Sequence, residues 1–278
     1  MIGLVEDAQG TIAGGEPYSE RVIGASSLKV ISRSGVGYDS IDVNAATARG
    51  VAVCTAPGAN ANAVADHAFA LILALARQVL PLDRAIRNRQ WPRPGSVDVN
   101  GQTLGILGLG RIGKRVARRA RGFDMRVVAY DPDWDEAFAA ENRVERLTLE
   151  QVFQEADFLT LHAPNTPQTR HIVDARRLGL MKPTAYLINC ARGPLVDETA
   201  LYQALEAGRI AGAGLDVFEQ EPLGESPLRE LENVVLTPHS AYYSPKSNAA
   251  TLQMALENAL LVLEGKRPHF CVNPEVFG

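Results

Sequence analysis

Thr103-Leu104-Gly105-Ile106-Leu107-Gly108-Leu109-Gly110-Arg111-Ile112-Gly113-Lys114 decides how this chain is read. Five residues without a charge predict a buried strand, three glycines at spacing G-x-G-x-x-G predict a tight turn, and a helix is expected from Lys114 onward. The glycine pattern alone is weak, because turns are rich in glycine. Its setting carries the weight, since a strand precedes it, a helix follows, and a second strand, Arg126–Tyr130, ends in an acid. Gly108 permits the turn, Gly110 lets the main chain approach a pyrophosphate, and Gly113 lets the helix pack on the sheet. Arg111 and Ile112 then open a helix whose free amides and dipole face the phosphates.

Asp131 stands 131 − 110 = 21 residues beyond the second glycine. A carboxylate there accepts hydrogen bonds from an adenosine ribose and repels a 2′-phosphate. No arginine follows in Pro132-Asp133, so NAD is expected over NADP. The basic run Arg111, Lys114, Arg115, Arg118, Arg119 and Arg121 has helical spacing opposite Ile112, Val116 and Ala120. It reads as a solvated face rather than a nucleic-acid surface.

Outward from this motif, short β-rich runs alternate with helical ones, the pattern of a parallel sheet covered by helices. Strands are expected at Leu28–Ser32, Val51–Thr55, Thr103–Leu107, Arg126–Tyr130, Phe158–His162, Tyr186–Asn189, Gly212–Val217 and Val234–Thr237. Asn62–Gln90 reads as one long helix ended by Trp91-Pro92-Arg93-Pro94, and Ser247–Glu264 as a last amphipathic helix. The fold class is therefore α/β, a Rossmann-type doubly wound parallel sheet over residues 61–241. Residues 1–60 and 242–278 would form a second, smaller and discontinuous α/β substrate domain.

Bulk properties set outer limits. The 278 residues are 46% hydrophobic and 22% charged, enough for packed cores. A net charge of −4 offers no attraction to nucleic acid or anionic membranes. The opening MIGLVEDAQG lacks the basic start of a signal peptide, and the longest apolar run, Ala68–Ala76, is short of a membrane span. Cys54, Cys190 and Cys271 form no C-x-x-C pair, which speaks against a metal site and fits a reducing, cytoplasmic setting.

Three later segments place chemistry at strand C-terminal ends, where open α/β sheets hold their sites. They are Ile188-Asn189-Cys190-Ala191-Arg192-Gly193, Gly214-Leu215-Asp216-Val217-Phe218-Glu219-Gln220-Glu221-Pro222 and Leu236-Thr237-Pro238-His239-Ser240. Taken singly, Arg192, Glu221 and His239 each have a structural explanation. Taken together, a cation, an acid and an imidazole meet the needs of carbonyl reduction.

With GILGLGRIG, YDP, INCARGPLVDE, GLDVFEQEP and TPHSA in this order, the chain resembles the D-isomer-specific 2-hydroxyacid dehydrogenase family from about Leu28 to its end. The resemblance implies that His239 is the acid/base, that Glu221 hydrogen-bonds its imidazolium and raises its pKa, and that Arg192 binds a 2-oxo acid. It places Asp216 at the nicotinamide, and His162 and Thr169 along the cofactor, although His162 equally fits a structural strand end. In SRSGVGYDSID it assigns the amides of Val36 and Gly37 to the substrate carboxylate, with Asn60 nearby. TPHSAYYS is similar to the C-terminal-binding-protein branch, where Tyr242 would form an aromatic wall suited to an apolar or medium-sized 2-oxo acid. That branch also leaves open an NAD(H)-responsive, corepressor-like scaffold with little turnover. His67, His171 and His269 read as structural. The resemblance further implies a homodimer involving Asn62–Gln90. Family members begin with a further βα unit, so Met1–Val5 is read as part of a strand in a shortened substrate domain with one exposed sheet edge. Glu6 and Asp7, placed after that strand, would repel a phosphorylated substrate.

Overall fold

The computed structural model describes residues 1–278 and divides them into two units, Met1–Asn62 with Tyr242–Gly278, and Ala63–Ala241. Along the first part of the chain run α1 (Ile2–Val5), β1 (Gly10–Ala13), α2 (Glu20–Gly24), β2 (Val30–Arg33), α3 (Val43–Ala48) and β3 (Ala52–Cys54). Next come α4 (Ala61–Ala76), α5 (Val79–Arg87), β4 (Thr103–Leu107), α6 (Arg111–Ala120), β5 (Arg126–Tyr130), α7 (Glu136–Asn142), β6 (Val144–Arg146), α8 (Leu149–Glu155) and β7 (Phe158–Leu161). The chain finishes with α9 (Ala175–Leu178), β8 (Tyr186–Asn189), α10 (Glu198–Glu206), β9 (Gly212–Leu215), β10 (Val234–Leu236) and α11 (Pro245–Leu263).

In the larger unit seven parallel strands lie in the order β10-β9-β8-β7-β4-β5-β6. β4 lies between β7 and β5, and the chain departs from it first to one side and later to the other. That reversal puts a crevice at the C-terminal end of β4, directly at Gly108. Alternation along the strands fills two cores. Leu104, Ile106, Val127, Phe158 and Ile188 face one layer with Phe69, Ile72 and Val116. Leu107, Val128, Leu161 and Leu187 face the other with Val152, Phe153 and Leu201. Each such side chain contributes roughly 1.5–3 kcal/mol by leaving water, and strands buried on both faces account for the unbroken apolar runs.

The smaller unit holds a three-stranded parallel sheet, β1-β2-β3, with Val30 paired to both Gly10 and Ala52. Tyr18, Ile23, Ile31, Ile41 and Val53 fill one face, and Val30, Ala52 and Cys54 meet Ala259 of α11 on the other. The C-terminal tail adds to β3 through an antiparallel bridge between Cys54 and Cys271. The outer edge of β1 has no strand partner.

Three expectations are corrected. Asn62–Gln90 is two helices bent by 60°, with Gln78 in the left-handed region at φ 52°. Pro81 is the reason: within a continuous helix its ring would strike the Arg77 carbonyl, and it has no N–H to donate. Three residues into α5 it is tolerated, so the break falls just before. Met1–Val5 is not strand, because Ile2–Val5 is a helical turn that buries only Val5. An apolar run so short fits either state, and the strand is Gly10–Ala13, in register with β2. Glu6 and Asp7 therefore follow a helix rather than a strand end, and the argument that they repel a phosphate falls. β6 also escaped the sequence reading, having one buried residue in three. No single helix is long and apolar enough to cross a membrane.

Candidate active site

All of the glycine-loop and carbonyl-chemistry candidates lie in the larger unit. Gly108 has φ 96°, and a Cβ there would sit 2.7 Å from the carbonyl carbon and oxygen of His162. At Gly113 a Cβ would lie 2.1 Å from the Gly108 carbonyl oxygen. Both are glycines because the protein itself leaves no room. Gly110 differs. Its φ is −74°, and nothing lies within 4 Å of a Cβ built on it.

The helix that follows lacks a side-chain cap, as α1, α2 and α5 also do. Asp42, Asp135, Thr148, Asp174, Asp197 and Ser244 each cap a helix by accepting a main-chain hydrogen bond. α6 begins at Gly110 with no side-chain cap, so its first amides, those of Arg111, Ile112 and Gly113, point outward unsatisfied. Beside them lies a depression of about 380 Å³ lined by Leu109, Gly110, Lys114, Asp131, Asp133, Trp134 and Asp135. Asp131 accepts from Leu109 N at 2.6 Å and Asp133 N at 2.8 Å, which aims its carboxylate at the loop. Arg111 is exposed. Open amides for a pyrophosphate and an acid for a ribose fit a dinucleotide.

His162 follows β7, with Nε2 2.9 Å from Thr160 Oγ1 and Nδ1 shielded without a partner. Burial brings its pKa down to about 3, so the ring is neutral. Its imidazole is inward and its main chain abuts Gly108, which suits the structural reading. Thr169 is held in its turn by donating to Pro164 O at 2.6 Å.

Arg192 follows β8 and its chain is braced by buried Asn189, whose side chain accepts from Ala191 N and donates to Arg192 O. Gly193 presses that turn onto the loop after β9, since a Cβ there would lie 1.9 Å from Phe218 C and O. Two segments far apart in sequence, Ala191–Gly193 and Phe218–Glu221, are thereby packed together. Glu221 Oε1 accepts from Phe218 N at 3.0 Å, and Oε2 lies 2.6 Å from His239 Nδ1. Partial burial pushes the Glu221 carboxyl up. The His239 hydrogen bond, the Phe218 amide and the His239 and Arg192 charges together outweigh it and hold it below the ordinary value. Glu221 thus stays a carboxylate beside the imidazole.

His239 sits at φ 49°, a strained position for a residue with a Cβ. Asp216, fully buried, explains how it is kept there. Its carboxylate accepts from Thr237 Oγ1 at 2.5 Å, Ser240 N at 2.9 Å and Ala241 N at 2.9 Å, and its carbonyl accepts from His239 N at 2.7 Å. Asp216 is first the anchor of the His239 turn. His67 of α4, read from sequence as structural, joins the same network with Nε2 2.9 Å from Thr237 Oγ1 and 3.5 Å from Asp216. No local pattern around His67 signals that contact. His171 pairs with Glu219 near the same loop. The Cys190 thiol is pushed up by burial and the Asp216 charge, which leaves it inert.

In the smaller unit, Arg33 Nε donates to Gly37 O at 2.6 Å and its Nη1 to Ala13 O at 3.2 Å, fixing the Ser34–Tyr38 loop. The Val36 and Gly37 amides have no acceptor in the chain, as an anion-binding nest requires. Asn60 Oδ1 is shielded without a donor. Tyr242 meets Tyr243 edge-on at 6.0 Å, and Tyr243, to which no sequence motif points, is the more exposed ring.

The family model for the D-isomer specific 2-hydroxyacid dehydrogenase, NAD binding domain, matches residues 69–241. The chain is 47% identical over 259 residues to a glyoxylate reductase of Korarchaeum cryptofilum, covering 91% of this chain and 78% of that protein. It is 47% identical over 224 residues to a D-3-phosphoglycerate dehydrogenase of Synechocystis, covering 80% of this chain but 40% of that longer protein. A D-lactate dehydrogenase from Aquifex aeolicus, solved with NAD and lactic acid, is 30% identical with a TM-score of 0.86, covering 98% of this chain and 89% of that one.

Proposed function

Because the chain belongs to the D-isomer specific 2-hydroxyacid dehydrogenase family, we propose that it transfers hydride between NAD(H) and a small 2-oxo or 2-hydroxy acid, with His239, Glu221 and Arg192 as its catalytic residues. The 2.6 Å contact between His239 Nδ1 and Glu221 carries this reading. It holds the imidazole in one orientation and makes an imidazolium tolerable there.

NAD, when bound, supplies the hydride donor and acceptor. The unsatisfied amides of α6 hold its pyrophosphate and Asp131 its ribose, with Asp133 adding charge against a 2′-phosphate, while the Asp135 charge is paired with Lys114 at 2.5 Å. Arg192 neutralises the substrate carboxylate and polarises its carbonyl. His239 delivers a proton to the oxygen as the carbonyl becomes an alkoxide, and takes it back in the reverse direction. Glu221 stabilises the charged ring before the proton leaves. Val36 and Gly37 offer amides to a carboxylate, and Asn60 is the remaining substrate-site candidate. Tyr242 is the candidate wall for the substrate side chain, favouring an apolar or medium-sized 2-oxo acid. Two copies pair through α5, whose Val79, Leu80 and Ile86 are about half exposed on a helix that buries none of its residues.

Loss of NADH absorbance with a panel of 2-oxo acids, run in parallel with NADPH, tests the proposal. Turnover with at least one acid, a lower KM for NADH and a fall in kcat of roughly 10²–10⁴-fold in His239→Gln are expected. Binding of NADH without turnover of any acid would instead identify a nucleotide-sensing scaffold. Tyr242→Ala should lower kcat/KM for a bulky 2-oxo acid more than for glyoxylate.

A further inference from the structure

Cys54 and Cys271 stand 271 − 54 = 217 positions apart, yet they face each other across the bridge that joins the C-terminal tail to β3. The hydrogen bonds Thr55 N to Phe270 O, 3.3 Å, and Val272 N to Val53 O, 2.8 Å, flank the pair. Cys54 and Cys271 therefore occupy a non-hydrogen-bonded position of an antiparallel ladder, where opposed Cα atoms approach to about 4.5 Å and side chains come closest. Disulfides accept Cα separations of about 4.4–6.8 Å. The Cys271 S–H donates to Asn273 Oδ1 at 3.4 Å, which keeps its side chain at the bridge facing Cys54.

Register at the bridge is held from both sides. Asn273 Oδ1 accepts from Val53 N at 2.8 Å, and its Nδ2 donates to Val51 O at 3.0 Å and Thr47 Oγ1 at 2.9 Å. Buried Asn258 donates to Thr55 O at 3.1 Å and accepts from His269 N at 2.9 Å. These bonds hold the main chain of Cys54 opposite that of Cys271.

We propose that Cys54 and Cys271 are a reversible dithiol–disulfide site that covalently locks the C-terminal tail onto β3. The proposal is independent of the assignment of the catalytic residues. Cys271 is the entry point, being partly exposed while Cys54 is fully buried. The neighbouring Cys54 thiol and the Asn273 and Val53 amides hold the Cys271 pKa below the ordinary thiol value, against the opposing effect of burial. That favours the thiolate, the attacking form. The oxidant is a small-molecule disulfide. The Cys271 thiolate attacks one sulfur of glutathione disulfide, forming a mixed disulfide and expelling one glutathione thiolate. Cys54 then loses its proton to that thiolate and attacks the Cys271 sulfur, and the second glutathione leaves. The protein gives up two electrons and two protons, and one glutathione disulfide becomes two thiols.

The full chain is equilibrated in glutathione buffers of increasing oxidised fraction, alkylated at low pH, and its thiols counted in denaturant with peptide mapping. Of the three thiols, one should remain, that of Cys190. A single cross-link should join the peptides of Cys54 and Cys271 and be reversed by dithiothreitol. Cys190→Ala, which keeps both partners, should go from two thiols to none. Cys271→Ser should give no cross-link. Three thiols surviving the most oxidising buffer, glutathione persisting on Cys271 without a cross-link, or a cross-link to Cys190 would each overturn the proposal.

Discussion

Replacing Gly110 by alanine separates what the protein needs from what its ligand needs. A methyl group at this position meets no protein atom within 4 Å, and φ −74° with ψ −157° is open to any L-residue. Two folding effects oppose each other: alanine is a poorer N-cap than glycine, by roughly 0.5–1 kcal/mol, while its stiffer unfolded chain returns about 0.4–1 kcal/mol. Stability should therefore be unchanged to within about 1 kcal/mol. Binding should not be spared, because the pyrophosphate has to pass where that methyl would stand. Forcing an extra methyl into a packed contact costs about 1–3 kcal/mol, which corresponds to a Kd for NADH roughly five- to 150-fold weaker. Gly113→Ala is the matched control, since its Cβ would lie 2.1 Å from the Gly108 carbonyl oxygen and should prevent folding outright. Urea unfolding and NADH fluorescence titration read the two quantities separately. An alanine variant that folds normally and binds NADH with unaltered Kd would refute the reasoning, as would one that unfolds.

Glu221→Gln removes the charge from the hydrogen bond to His239 Nδ1; at about 1.5–3 kcal/mol for a bond to a charged group, kcat should fall roughly ten- to 150-fold, and single-turnover measurements should place the loss in the chemical step. His162 gives a pH test of stability. Its folded pKa of about 3 lies below the unfolded value near 6.5, so below that value the unfolded state binds the extra proton and stability is lost as pH falls, by about 1.4 kcal/mol per unit until the folded pKa is reached. His162→Gln lacks this proton uptake, and the difference between the two urea midpoints should narrow or reverse between pH 6.5 and 4.5; a constant difference would show that the ring is not held neutral. Leu80→Glu with Ile86→Glu should convert a dimer to a monomer in analytical ultracentrifugation while the NADH Kd of the isolated chain stays within twofold.

Local physics was legible in the sequence by itself. Thr103–Leu107, Arg126–Tyr130 and Tyr186–Asn189 are strands with the expected bounds, because an apolar run between turn residues has few alternatives. The glycine loop, its uncapped helix and the acid ending β5 depend on neighbours in the chain, and so did the strand ends that carry Arg192, Glu221 and His239. The break before Pro81 is also local, although the long apolar periodicity around it masks the signal. Only the tertiary structure decided that His67 meets Thr237, that Asp216 holds the His239 turn, and that Cys54 faces Cys271. Such pairs depend on strand order and register, set by how whole elements stack. A residue's neighbours along the chain carry no record of what the fold will place across from it.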